Sequence, residues 1–151
     1  MKQAESLEEA RENKAFENAL KGNIPSALRR VLETKTPEQV QEIIANMYKE
    51  YPIMMKEFLR ILNQMYIVFA LKQNDYGPGN IALGTQLKNQ NEINAARKAV
   101  LVRTQDKINR MVNLDLLKNT EPANESLADS WEDTGVYSVI AQLVIRGVWG
   151  K

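Results

Sequence analysis

The chain has 151 residues, 44% hydrophobic and 26% charged, the balance of a single soluble globular domain long enough to bury a core. Twenty Lys and Arg against nineteen Asp and Glu leave a formal charge of +1, which argues against a general nucleic-acid coat, so nucleic acid is not an expected partner. With no Cys and no His, disulfides, thiolate or imidazole metal sites, cysteine nucleophiles and Ser-His-Asp triads are excluded, and any metal must be a hard cation held by oxygen, such as Mg²⁺ or Mn²⁺.

The first residues, MKQAESLEEARENK, are acidic and polar and lack the apolar core of a signal peptide. The longest strongly apolar stretch, Met65 to Leu71, is far short of the ~20 residues that a membrane span requires. The expectation is a cytoplasmic protein with no membrane partner. The segment from about Glu5 to Leu20 is charge-rich and helix-prone, and Gly22-Asn23 closes it. Ile24 to Thr34 predicts a short helix that tolerates Pro25 in its first turn. Thr36-Pro37-Glu38-Gln39 is a helix start with Thr as N-cap, Pro at N1 and Gln at N3 for a capping box. The helix that follows, to about Glu50, places Val40, Ile43, Ile44 and Met47 on one stripe.

Tyr51-Pro52 breaks that run, because the residue before a proline disfavours helical geometry. A helix over about Ile53 to Gln73 carries Phe58, Leu59, Ile61, Leu62, Met65, Tyr66, Phe69 and Ala70, a broad stripe suited to a bundle core. It ends at the turn-rich run Asn74 to Asn80. Ile81 to Ala95 is weakly periodic and reads as loop or short helical turns. From Ala96 to about Leu117 the helical period returns through Val100, Leu101, Thr104, Ile108, Met111 and Val112. After a polar linker, Lys118 to Asn124, the last helix begins near Glu125 or Ser126 and runs to about Arg146, with Gly147 as its stop. Trp131, Tyr137, Val144 and Trp149 give that helix apolar surface for a partner. No period-2 strand and no internal repeat is present. The expected architecture is all-α: an N-terminal helical extension over residues 1–50 and a helical bundle domain over 51–151.

Three constellations carry chemistry. Arg103, Asp106, Lys107, Arg110 and Asn113 fall at i, i+3, i+4, i+7 and i+10, hence on one helical face. The three cations around one carboxylate suit the oxygens of a triphosphate, although an exposed face laced with ion pairs has the same pattern. Glu125, Asp129, Glu132 and Asp133 open the last helix, with Asp129, Asp133 and Tyr137 one turn apart. The helix dipole accounts for Glu125 and Asp129 near the N-terminus, but it does not reach Asp133, about two turns in. Asp106 on one helix with Asp129 and Asp133 on another would bring three carboxylates to one Mg²⁺. In the loop from Lys72 to Asn80, glycines allow close approach of a ligand and Tyr76 offers a stacking ring; a bare turn between helices is equally compatible.

Taken in order, Asp75-Tyr76-Gly77, Arg103-x-x-Asp106-Lys107-x-x-Arg110-x-x-Asn113-Leu114 and Glu125-Ser126-x-x-Asp129-x-x-x-Asp133-x-x-x-Tyr137 resemble the nucleotide-modification-associated domain family. That phage and prophage family looks like a branch of the MazG-like all-α nucleotide pyrophosphohydrolases. The similarity covers roughly residues 55 to 147. The resemblance implies a MazG-like helical bundle, a homo-oligomer (dimer or higher), and cleavage of a nucleoside triphosphate between its α and β phosphates. It also implies Mg²⁺ or Mn²⁺ on Asp106, Asp129 and Asp133. Lys107 and Arg110 then grip the phosphates, Asp75, Tyr76 and Asn80 border the nucleoside pocket, and Arg103, Asn113 and Tyr137 are further expected substrate-binding residues. Glu125 or Glu132 is the expected residue to orient or deprotonate the attacking water. The MazG-like pattern has a glutamate-rich EExxE run where this chain has Arg103-x-x-Asp106. The missing acid suggests a single metal, weaker metal binding, or a protein that binds its nucleotide without hydrolysing it. A helical protein-interaction module is the remaining alternative.

Overall fold

The computed structural model describes residues 14–151. Among these residues the chain is all-α, with no strand. Of the helix expected over residues 5–20, the part up to residue 13 lies outside the described residues, and 14–19 are helical. There follow α1 (Ser26–Leu32), α2 (Pro37–Glu50), α3 (Pro52–Tyr76), the single turn α4 (Gly79–Ala82), α5 (Gln90–Met111), a π-helical segment (Val112–Lys118) and α6 (Leu127–Ile145). The chain divides between Lys56 and Glu57 into two compact units.

In the first unit the capping box at the start of α2 forms as its sequence predicts. Thr36 Oγ1 accepts from the Gln39 N–H at 3.3 Å, and Gln39 Oε1 accepts from the Thr36 N–H at 2.8 Å. No residue of α1 or α2 is fully buried. Val40 and Met47 of the expected stripe are half-buried, while Ile43 and Ile44 are exposed.

The second unit holds the core. α5 and α6 pack on each other more extensively than any other pair of helices. Ala96 and Val100 of α5 face Val136, Ile140 and Val144 of α6, each set spaced by one turn, so one narrow apolar ridge meets another. Ile81 and Ala82 of α4 close one end, and Met65 and Phe69 of α3 pack against the cluster. Gly135 of α6 has no side chain to hold Met65 off, and the Met65 Cε methyl occupies the space a Cβ would take. After Gly147 reverses the chain at φ +67°, Trp149 turns back into the core. Its ring meets Phe69 edge-on at 6.2 Å, and its Nε1 donates to the Pro78 carbonyl at 2.9 Å.

Four sequence expectations change. The α5 helix begins at Gln90, inside the stretch expected to be loop, because Asn89 caps it by accepting from the Asn91 and Glu92 N–H groups. Residues 90–95 have little apolar periodicity, so the cap was the available signal. At its other end α5 passes into π geometry at Val112 and stops at left-handed Asn119. The apolar stripe of α3 is not a buried core face: Met65, Val68 and Phe69 are half-buried, and Phe58, Leu62 and Tyr66 are exposed. Val144 and Trp149, expected to offer surface to a partner, are instead buried, leaving Trp131 66% exposed. Among the described residues no helix is long and apolar enough to cross a membrane.

Candidate functional site

The start of α6 is fixed by its own side chains. Ser126 Oγ accepts from the Asp129 N–H at 3.1 Å, and Asp129 Oδ2 accepts from the Ser126 N–H at 2.8 Å. This reciprocal cap satisfies donors that the first helical turn leaves open. Arg110, one helix away on α5, then clamps that start. Its guanidinium donates to the Ser126 carbonyl at 3.1 Å, to the Glu125 carbonyl and to Ser130 Oγ. Ser130 is fully buried, and Arg110 gives its hydroxyl a partner.

With α6 so placed, Asp133 meets two lysines. Lys107 of α5 reaches Asp133 Oδ2 at 2.7 Å, and Lys72, near the end of α3, reaches Asp133 Oδ1 at 2.8 Å. Lys107 also reaches Glu125 Oε2 at 2.9 Å. The inner members are sheltered, with Asp133 and Lys107 side chains 14% and 20% exposed. The outer members are open: Lys72 is 48% exposed and Glu125 59%. Burial pushes the Asp133 carboxyl up, but the hydrogen bonds from Lys107 and Lys72 outweigh it and hold the group below its ordinary value. The hydrogen bond to Asp133 correspondingly raises both lysines, against the effect of their partial burial. The site is therefore a Lys72–Asp133–Lys107 chain whose members are stabilised in their charged forms, with Glu125 paired to its Lys107 end.

Of the residues singled out in the sequence, Lys107, Asp133, Glu125 and Arg110 come together here. Tyr137 lies one turn beyond Asp133 and is half-buried. Arg103 ties α5 to α4 by donating to the Asn80 carbonyl at 3.2 Å, and the Asn80 side-chain oxygen is buried without a partner. The others stand elsewhere. Asp106 is exposed and unpaired among the described residues. Asp129 is taken up by the cap. Glu132 lines a separate groove between α3 and α6 with Met65 and Trp131. Asp75 and Tyr76 are exposed at the end of α3, and Asn113 is exposed in the π-helical segment.

In this arrangement Asp133 stands between two lysines, Asp129 serves the cap and Asp106 is exposed. Among the described residues no group of three or more acidic side chains is placed to hold a metal ion. Two carboxylates, Glu125 and Asp133, do face one point, and the Lys107 ammonium stands between them. As arranged, these side chains do not fit the three-carboxylate Mg²⁺ set that the resemblance implies.

Lys72 and Ser130 were not foreseen as site residues. Lys72 had a faint signal: residues 61–71 carry no charge, and Lys72 is the first after them. Ser130 belongs to a row of hydroxyls, Ser126, Ser130, Thr134 and Ser138, spaced by four along one face of α6. Comparison of the chain with protein-family models, curated proteins and solved structures finds no match. The chemistry of the site is argued from its own residues.

Proposed function

We propose that the chain binds a nucleoside triphosphate through the ammonium groups of Lys72 and Lys107. The observation that carries this is the meeting of two lysines from different helices at one sheltered carboxylate. Asp133 holds both ammonium groups at one place when no ligand is bound. Glu125 is the replaceable member, since an exposed ion pair contributes only about 0–1 kcal/mol. A phosphate oxygen takes its place on Lys107 with a charge-assisted bond of the same kind, and Lys72, 48% exposed, is open to a second acceptor. Arg110 is a positioning residue, because its donors hold the start of α6 and do not face outward as a free clamp. The nucleoside part of the proposal is supported by the ordered motifs that resemble the nucleotide-modification-associated family, and it extends to modified deoxynucleotides of phage metabolism.

Hydrolysis of the bound triphosphate to monophosphate and pyrophosphate is the second reading. What favours it is that Glu125 and Asp133 face one point beside the lysines. One experiment tests both: calorimetric binding of canonical and modified nucleoside triphosphates, with pyrophosphate release followed with and without Mg²⁺ or Mn²⁺. Binding that Lys107→Ala weakens by about tenfold (about 1.4 kcal/mol) supports the site. Metal-dependent release establishes the hydrolase, binding without release establishes a sequestering protein, and no binding overturns the proposal.

We further propose that the outward apolar face of α3 meets a second copy of the chain. Phe58, Leu59, Ile61, Leu62, Tyr66 and Ile67 are all exposed, with Trp131 of α6 exposed as well. Large exposed apolar side chains gathered on one helix favour an interaction surface.

A further inference from the structure

Beside the lysine cluster, α5 and α6 leave between them a groove of about 500 Å³. Its walls are Val100, Leu101 and Thr104 of α5 with Tyr137, Ala141 and Ile145 of α6. That volume is within the range of small-molecule sites, and the groove, open on one side, combines an apolar floor with polar and charged residues. Leu101 lines the groove and is 66% exposed, so its apolar side chain is open to a ligand there. The near end abuts the charged chain: Thr104 lies one turn before Lys107, and Tyr137 one turn after Asp133. At the far end stand Asn94, Arg97 and Lys98. Arg97 is about 10 Å from Thr104 along the helix, two turns away. Neither Arg97 nor Lys98 is ion-paired among the described residues, and both are donors without acceptors.

We infer that this groove takes the base of the nucleotide whose phosphates Lys72 and Lys107 hold, and that it prefers a base with acceptor atoms on its outer edge, guanine first. The inference rests on the phosphate-binding proposal for the neighbouring lysines. An aromatic side chain in an apolar slot favours a flat ring, and stacking on one is worth about 1–3 kcal/mol per base. Guanine presents O6 and N7, both acceptors, to Arg or Lys, whereas adenine presents an N6 donor where guanine has O6. A cation-lined far end therefore discriminates against adenine. Tyr76 and Asp75, expected to border the nucleoside, are exposed at the end of α3 and line no part of this groove.

The test is calorimetric titration of the full chain with GTP, ATP and inorganic tripolyphosphate, at one ionic strength. The proteins are wild type, Ala141→Leu, Leu101→Ser, the double variant Arg97→Ala with Lys98→Ala, and Lys107→Ala, with folding of each followed by circular dichroism. Leu101 is exposed, so its replacement tests the groove even if Ala141→Leu disturbs packing. The expected result is GTP bound about tenfold tighter than ATP and than tripolyphosphate. Ala141→Leu and Leu101→Ser should bring GTP close to tripolyphosphate without changing tripolyphosphate itself, and the double variant should erase the preference over ATP. GTP affinity untouched by the groove variants, or equal affinity for GTP and ATP, overturns the inference. Tripolyphosphate binding that Lys107→Ala abolishes would in that case leave the lysine site standing. Conversely, GTP binding that responds to Leu101→Ser but not to Lys107→Ala keeps the groove and overturns the lysine site.

Discussion

Asp133 accepts hydrogen bonds from lysines on two different helices, and the charge states of all three decide when those bonds exist. Its carboxyl is held below the ordinary 3.8, so its contribution to stability is present above that value and lost as pH falls through the folded value. The lysines are raised above the ordinary 10.5, so their contribution is present below that value and lost as pH rises through their folded values. Asp133→Asn should therefore lower the melting temperature at neutral pH, by an amount equivalent to about 1–3 kcal/mol, since it unmakes bonds at a sheltered group. The gap to wild type should begin to narrow as pH falls below the ordinary 3.8 and close only past the lower folded value, where the native carboxyl also gains a proton. A gap that persists unchanged at pH 2 in thermal melts would mean that packing, not charge, carries the effect. Lys72→Ala should cost less than about 1 kcal/mol, because half of that side chain is in water.

Among the elements, α6 decides most. Its cap places Asp133, its ridge builds the core, and its first residues receive Arg110. Ser126→Ala and Asp129→Ala should each cost about 1 kcal/mol of stability, the usual loss for an N-cap, with triphosphate affinity changed less than about twofold. If Asp129→Ala abolishes triphosphate binding while Ser126→Ala leaves it intact, capping is not the main role of Asp129. The ridge itself is thin, made of small and branched residues, so truncation is felt strongly. Ile140 is 3% exposed, and Ile140→Ala should cost about 2–5 kcal/mol in denaturant unfolding. Against a typical domain stability of about 5–15 kcal/mol, that is enough to depopulate the folded state near its melting point.

At the scale of the whole molecule, apolar residues outnumber the places available to bury them. The 25-residue helix α3 has no fully buried residue, although its sequence is among the most apolar in the chain. On the proposal that a second copy covers this face, sedimentation should show association that rises with concentration. Leu62→Glu should shift it toward the monomer, since burying an unpaired charge costs far more than an exposed one gains. Sedimentation of the wild type as a monomer at high concentration would sink that proposal.

How much the residues alone disclosed varies with how local each interaction is. The all-α class, the Thr36–Gln39 capping box, the break at Pro52 and the stop at Gly147 are set by neighbours within one turn, and each is readable from spacing. The placing of Lys107 and Arg110 on one face of α5 is likewise a matter of helical period. What that period leaves open is the partner. Asp129 and Asp133 share a face, and spacing alone allows either to bind a metal, cap a helix or pair with a lysine. Only the packing of α5 and α3 on α6 gives Asp133 to Lys107 and to Lys72, the latter 61 residues away in sequence, while Asp129 stays with its own cap. The same holds for the apolar residues: their identity says which side chains avoid water, but helix packing buries Val144 and Trp149 and leaves Phe58 and Tyr66 exposed. The physical reason is that hydrophobicity has no direction, so only the arrangement of the helices determines which apolar surfaces meet.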